Sequence, residues 1–213
     1  DPVTGINLTQ ATTANKPLVR RGMLNLLTYS NDLTGAGWAA GDAARLVDQD
    51  GTADLVYPNT TGVFRGVYKV YATGVIPCTV AFLVKPAGFT NIAIVDLSGS
   101  AHAAWFNLTT GVDSNVLGGY TASIAPQANG YYLCVISGTG SATSFAQFSV
   151  VDSAGSNTAT ANGTNGVYVA NVGLFNGTWT AAQILAEGGI PTTTTTAASN
   201  PSAGKYWWSF DGS

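Results

Sequence analysis

From Met23 onward the chain is a succession of short apolar runs, many alternating with polar residues and closed by Gly, Pro, Asn or Asp, which is the spacing of an antiparallel sheet. Strands are predicted over residues 24–29, 53–57, 63–71, 78–85, 90–97, 102–108, 120–126, 131–137, 143–151 and 166–175. In "YYLCVIS", Tyr132, Cys134 and Ile136 share one face and Tyr131, Leu133 and Val135 the other. Both faces are largely apolar, so this strand is expected to be covered on both sides. The one helical signal is "TAAQILAEG", with Thr180 as N-cap and Gly188 as stop. Residues 1–22 hold no sustained period and read as an extended N-terminal arm. Residues 191–213 read as a Thr-rich linker that regains aromatics at Tyr206, Trp207 and Trp208 and could open a following domain. The pattern predicts an all-β chain: one two-layer antiparallel β-sandwich over 23–190, with extended arms at both ends.

Composition narrows the chemistry. Of 213 residues only 9% are charged, 46% are hydrophobic and 26 are glycine, while mean hydropathy is only +0.19. No window approaches the ~20 continuous apolar residues of a spanning helix, so membrane insertion is not expected. With net charge −3 and eight Lys plus Arg, there is no basic stripe to neutralise phosphates, which argues against nucleic acid as partner. His102 is the only histidine and Glu187 the only glutamate, so a two-histidine metal site or a Glu/Glu glycosidase pair cannot be assembled within one chain. No G-x-S-x-G elbow accompanies His102, and a structural role is expected for it. No enzymatic activity is expected. Cys78 and Cys134 each lie in an apolar run and are read as two unbonded, buried thiols, with a core disulfide as the alternative.

Candidate binding residues are few. Sugar binding needs an exposed aromatic plane for the apolar face of a pyranose, with amides or carboxylates beside it for the hydroxyls. Trp38, in the loop "GAGWAAGD" with Asp42 and Asn31 near in sequence, is the first candidate, its alternative being a plug at one end of the sandwich. Trp105 is a second candidate, either core or face, and Trp179 is expected to pack the C-terminal element down. "DQDGTAD" places Asp48, Asp50 and Asp54 in one glycine-containing loop. It reads mainly as an Asp-Gly turn, with structural calcium as the second reading and no other cofactor implied.

The order of certain segments resembles a known family. "NLLTYSNDLTGAGW", "DGTAD", "FLVKPAG", "AWFNLTTG", "NGYYLCVIS", "NGVYVANVGLFNG" and "GGIPTTT" follow one another over roughly residues 24–196. This order is similar to the carbohydrate-binding-like jelly-roll module of bacteriophage tail fibres and other virion proteins. The closing "WSFDGS" resembles the first strand of a concanavalin-like lectin domain. The resemblance implies a non-catalytic, surface-exposed component of a virion, in a fibre, spike or capsid decoration. Its implied partners are other virion proteins, copies of itself (a trimer by analogy with fibres) and host-surface glycans. A carbohydrate-binding module of a secreted bacterial glycosidase or adhesin is the alternative.

Overall fold

The structure, a computed structural model, describes residues 18–20, 23–72, 74, 76–193 and 207–209. In chain order the strands are β1 (Leu18–Arg20), β2 (Trp38–Gly41), β3 (Ala43–Asp50), β4 (Ala53–Pro58), β5 (Gly62–Val63), β6 (Gly66–Tyr71), β7 (Pro77–Ala87), β8 (Asn91–Val95), β9 (His102–Asn107), β10 (Val112–Ser114), β11 (Thr121–Pro126), β12 (Tyr132–Thr139), β13 (Ser144–Val151), β14 (Thr158–Ala159), β15 (Gly166–Asn176) and β16 (Trp207–Ser209). The single α-helix among the described residues is α1 (Ala181–Ala186). By contacts the chain divides into a sandwich unit, Met23–Ser199, and a unit built from its two ends. The described part of the second unit is a two-stranded antiparallel ribbon in which Val19 lies opposite Trp208.

The sandwich unit has two six-stranded antiparallel sheets. The first runs β10-β9-β8-β13-β6-β2 and the second β11-β12-β7-β15-β4-β3. The chain changes sheet from β6 to β7, from β7 to β8, from β10 to β11 and from β12 to β13, so the layers are laced together and neither can peel off as a hairpin. Between them lies one core, including Val80, Phe82 and Val84 of β7, Ile92 and Ile94 of β8, Phe148 and Val150 of β13 and Val172 and Leu174 of β15. Phe82 and Phe148 meet edge to face across the layers, with centroids 5.0 Å apart. The sequence-predicted all-β sandwich is the observed architecture.

β12 shows why both of its faces are apolar. Cys134 and Ile136 enter the inter-sheet core, whereas Leu133 and Val135 join Ala81, Phe175, Ala181 and Ile184 in a second cluster under α1. The helix is fixed as its sequence predicts. Thr180 accepts the Gln183 N–H, and the Gln183 side chain in turn accepts the Thr180 N–H at 2.8 Å. Gly188, at φ 94°, ends it.

Two expectations are corrected. Residues 24–29 form no strand, because side chains take over the hydrogen bonding: the buried Asn25 donates to Val172 O (2.8 Å) and Pro191 O (2.9 Å) and accepts from Leu27 N (3.2 Å) and Leu174 N (3.1 Å). The 63–71 run breaks at Phe64, whose φ of 53° ends β5 and re-aims the chain into β6. The tail also docks further than residue 190. Thr193 is buried, donates its hydroxyl to Leu27 O (2.5 Å) and its N–H to Ser30 Oγ (2.8 Å), and its carbonyl accepts from Ser30 N (3.2 Å).

Candidate functional site

The two cysteines are both buried and unbonded. Cys78 pairs with Gly138 and Cys134 with Phe82, so four residues of strand, about 13 Å, separate them along the β7–β12 ladder, beyond disulfide reach. Burial pushes both thiols up from their ordinary pKa.

Trp38 takes the plug role. It is 7% exposed within the inter-sheet core, and its indole N–H donates to Tyr29 O at 2.8 Å. The loop closes around a residue that sequence reasoning passed over. Lys69 of β6 is buried, and its ammonium donates to Thr28 O (2.7 Å), Thr28 Oγ1 (3.0 Å) and Ala36 O (2.8 Å) while lying 5.3 and 5.6 Å from the Tyr29 and Trp38 ring centroids. Burial lowers its pKa, and all three donors are nevertheless used. A Cβ at Gly37, whose φ is 86°, would press on the Lys69 chain at 3.2 Å. Asp42 instead lies exposed in an ion pair with Arg65 (2.9 Å), and Asn31 is half-buried, so no open Trp38 platform exists for either to flank.

The three aspartates of the β3–β4 hairpin have separate tasks. The buried Asp54 accepts from Leu33 N at 2.7 Å and from Asp48 N at 3.3 Å; its burial raises its pKa. Asp48 sits exposed at φ 51°. Asp50 pairs with Lys85 and accepts the Tyr131 hydroxyl at 2.8 Å, bonds that lower its pKa, the Lys85 bond most. Among the described residues no three His, Cys, Asp or Glu side chains gather in a group that could hold an ion.

The Asp50 contact lies on the outer face of the second sheet. Alternation along β7 turns Ala81, Leu83 and Lys85 outward, since Phe82 and Val84 fill the core. Tyr168 is the Cα partner of Lys85 on β15, and Leu133 that of Leu83 on β12. The Lys85 ammonium lies 5.2 Å from the Tyr131 centroid and 5.3 Å from that of Tyr168. Burial and then Asp50 push the Tyr131 hydroxyl far above the ordinary tyrosine pKa. One step along the same face opens a groove of about 380 Å³. Leu83, Leu133 and Asn171 line it from the sheet, Leu185, Gly188, Gly189 and Ile190 from α1 and its exit, and Gln127 from the β11–β12 turn. Asn171 is itself tied to Ile190 O (2.9 Å) and Thr192 Oγ1 (3.2 Å), which holds the groove wall to the sheet.

Trp105 lies on the outer face of the first sheet with its indole N–H donated to Ser156 O. His102 is buried, with Nδ1 2.8 Å from Asn157 Oδ1 and its ring 4.8 Å from Phe64 and 5.7 Å from Trp105. Burial lowers its pKa, opposed in part by the Asn157 bond. Trp179 packs against the α1 cluster, and Glu187, the helix C-cap, is exposed. Among the described residues, no helix is long and apolar enough to cross a membrane. No family model matches the chain, and no curated protein is similar enough to be a relative.

Proposed function

We propose that the protein is a non-catalytic attachment module of a bacteriophage virion that engages glycan chains across the outer face of its second sheet. The observation that carries the glycan reading is the groove: its volume of about 380 Å³ falls among ligand sites. Its floor and wall combine the apolar Leu83, Leu133, Leu185 and Ile190 with the Gln127 amide, and Tyr131 and Tyr168 stand on the same face. Apolar surface beside amide and phenol groups is the chemistry that receives a pyranose, whose faces are apolar and whose rim is hydroxylated. The virion reading rests on the motif order. Asn25 and Ser30 of "NLLTYS" bond directly to Pro191 and Thr193 of "IPTTT", so the opening and closing motifs form one lock.

The test is a glycan array probed with the full chain, followed by calorimetric titration of the best binder against Leu185→Trp, which fills the groove, and Tyr168→Ala. Both variants should fold and bind at least tenfold more weakly. Equal affinity in both, or no glycan retained on the array, would remove the glycan reading.

A further inference from the structure

Among the described residues, three buried side-chain polar atoms have no hydrogen-bond partner: Asn91 Oδ1, His102 Nε2 and Ser149 Oγ. All three belong to one face. On β8, Ile92 and Ile94 enter the core, so Asn91, Ala93 and Val95 point outward; on β13, Phe148 and Val150 enter the core and Ser149 points outward. Ser149 and Trp105 are both Cα partners of Ala93, which sets a row Ser149–Ala93–Trp105 across β13, β8 and β9. A bulge at Ala103 then brings His102 opposite Val95, on the same outer face as Trp105. Strand spacing puts the Ser149 backbone about 8 Å from Asn91 and about 12 Å from His102.

Over this face lies the strap of residues 152–165, most of it exposed. It is held by the Asn157–His102 and Ser156–Trp105 bonds and by the two-residue pairing of β14 with β5. Native proteins seldom leave buried polar atoms unpaired, because such a group has given up its bonds to water without replacing them. Three on one face, beside the rings of Phe64 and Trp105, mark a place built for a hydrogen-bonding guest. With Asn157 Oδ1 accepting from Nδ1, His102 Nε2 keeps a lone pair; Asn91 Oδ1 is an acceptor and Ser149 Oγ takes either role. The outward residues of β8, β9 and β13 carry no Asp, Glu, Lys or Arg, so a charged guest would be desolvated without compensation.

We propose that the face formed by Asn91, His102, Trp105 and Ser149 is a second saccharide site, which admits a neutral, hydroxyl-donating disaccharide of hexopyranoses when the 152–165 strap lifts. It lies on the sheet opposite the groove and does not depend on the groove binding anything. Sugar hydroxyls donate to Asn91 Oδ1 and His102 Nε2 and bond Ser149 Oγ, with the Trp105 and Phe64 rings against the sugar's apolar face.

The experiment titrates the isotope-labelled full chain with the methyl glycosides of the homodisaccharides of glucose, galactose, mannose and N-acetylglucosamine, reading the Trp105 indole N–H and the His102 ring nitrogens by NMR. One of these sugars should move both signals in wild type and in Leu185→Trp alike. Ser149→Ala should melt no lower than wild type, since it deletes an unpaired group, yet bind at least tenfold more weakly. Asn91→Leu, a second deletion of an unpaired acceptor, should also bind at least tenfold more weakly, and Asn157→Ala should quicken binding by releasing the strap. The proposal is overturned if no sugar moves the two signals, if both deletions bind as wild type does, or if Asn157→Ala leaves the association rate unchanged. Loss of binding in Leu185→Trp but not in Ser149→Ala would assign the sugar to the groove alone.

Discussion

Asn25 shows how much one side chain holds. Its amide touches β15, the chain entering the sandwich and the chain leaving it, through Val172 O, Leu174 N, Leu27 N and Pro191 O. Asn25→Ala strands these groups in a buried site and should destabilise by about 3 kcal/mol, read as a lower urea midpoint at unchanged slope. His102 gives the residue scale its pH dependence. Burial depresses its folded pKa below the ordinary histidine value of about 6.5, so the unfolded chain takes up the proton first. The stability it supports is therefore complete above about 6.5 and is lost as pH falls toward the folded value. Unfolding free energy should decline between pH 7 and 5 in wild type and stay flatter in His102→Gln. Asp54 acts oppositely, since its raised pKa favours the folded state below 3.8 and that benefit fades as pH climbs through the folded value. An equal pH slope in wild type and His102→Gln between pH 7 and 5 would contradict the assignment of His102 as buried and neutral. The solitude of this histidine was legible in the sequence. The burial of Trp38 was not, because it depends on Lys69, distant in sequence, whose ammonium the loop carbonyls enclose.

At the scale of elements, legibility follows burial. β7, β8, β12, β13 and β15 are rich in buried positions, and their apolar runs announce them in the sequence. β2, β3 and β10 lie at sheet edges, where one side needs no partner, and "ARLVDQD" and "VDS" accordingly carry little pattern. The bulge at Ala103 leaves no periodic trace, yet it alone puts His102 and Trp105 on one face and so creates the aromatic cluster beneath the strap. Strict alternation from Trp105 sends His102 to the opposite face. The helix was readable because its cap is local. Six residues cannot sustain a helix by propensity, so α1 depends on its capping box and on Ala181 and Ile184 packed against β7, β12 and β15. Thr180→Ala removes the acceptor for Gln183 N and should cost about 1 kcal/mol. Because Leu185 and the glycines that follow α1 line the groove, the same variant should weaken any groove ligand while leaving the strap face untouched.

For the whole molecule, the sandwich is locked where its ends cross. The segment after Ile190 contributes Pro191 O to Asn25, Thr192 Oγ1 to Asn171, and three bonds between Thr193 and Leu27 or Ser30, all at or near the buried face of β15. Residues 194–206 lie outside the described structure, and with them most of the Thr192–Thr196 run expected to add to a neighbour's sheet. The part that is described, Thr193, is spent on its own chain. A chain ended after Ile190 therefore loses five hydrogen bonds, several of them buried, and should be less stable by roughly 3 kcal/mol. For a domain of this size that corresponds to a melting temperature lower by about 6–12 °C. A chain ended after Ser199 keeps those bonds and should melt with the 23–199 unit of the full protein. The ends supply a different term: the pairing of Leu18–Arg20 with Trp207–Ser209 is a two-stranded ribbon, a structure that is marginal in water unless further strands or a packed face join it. Multimers should therefore form through the ends. Light scattering should find the full chain assembled and the 23–199 chain monomeric at the same concentration. If both run as monomers and melt together, the ribbon completes itself within one chain and the multimeric virion reading loses its physical support.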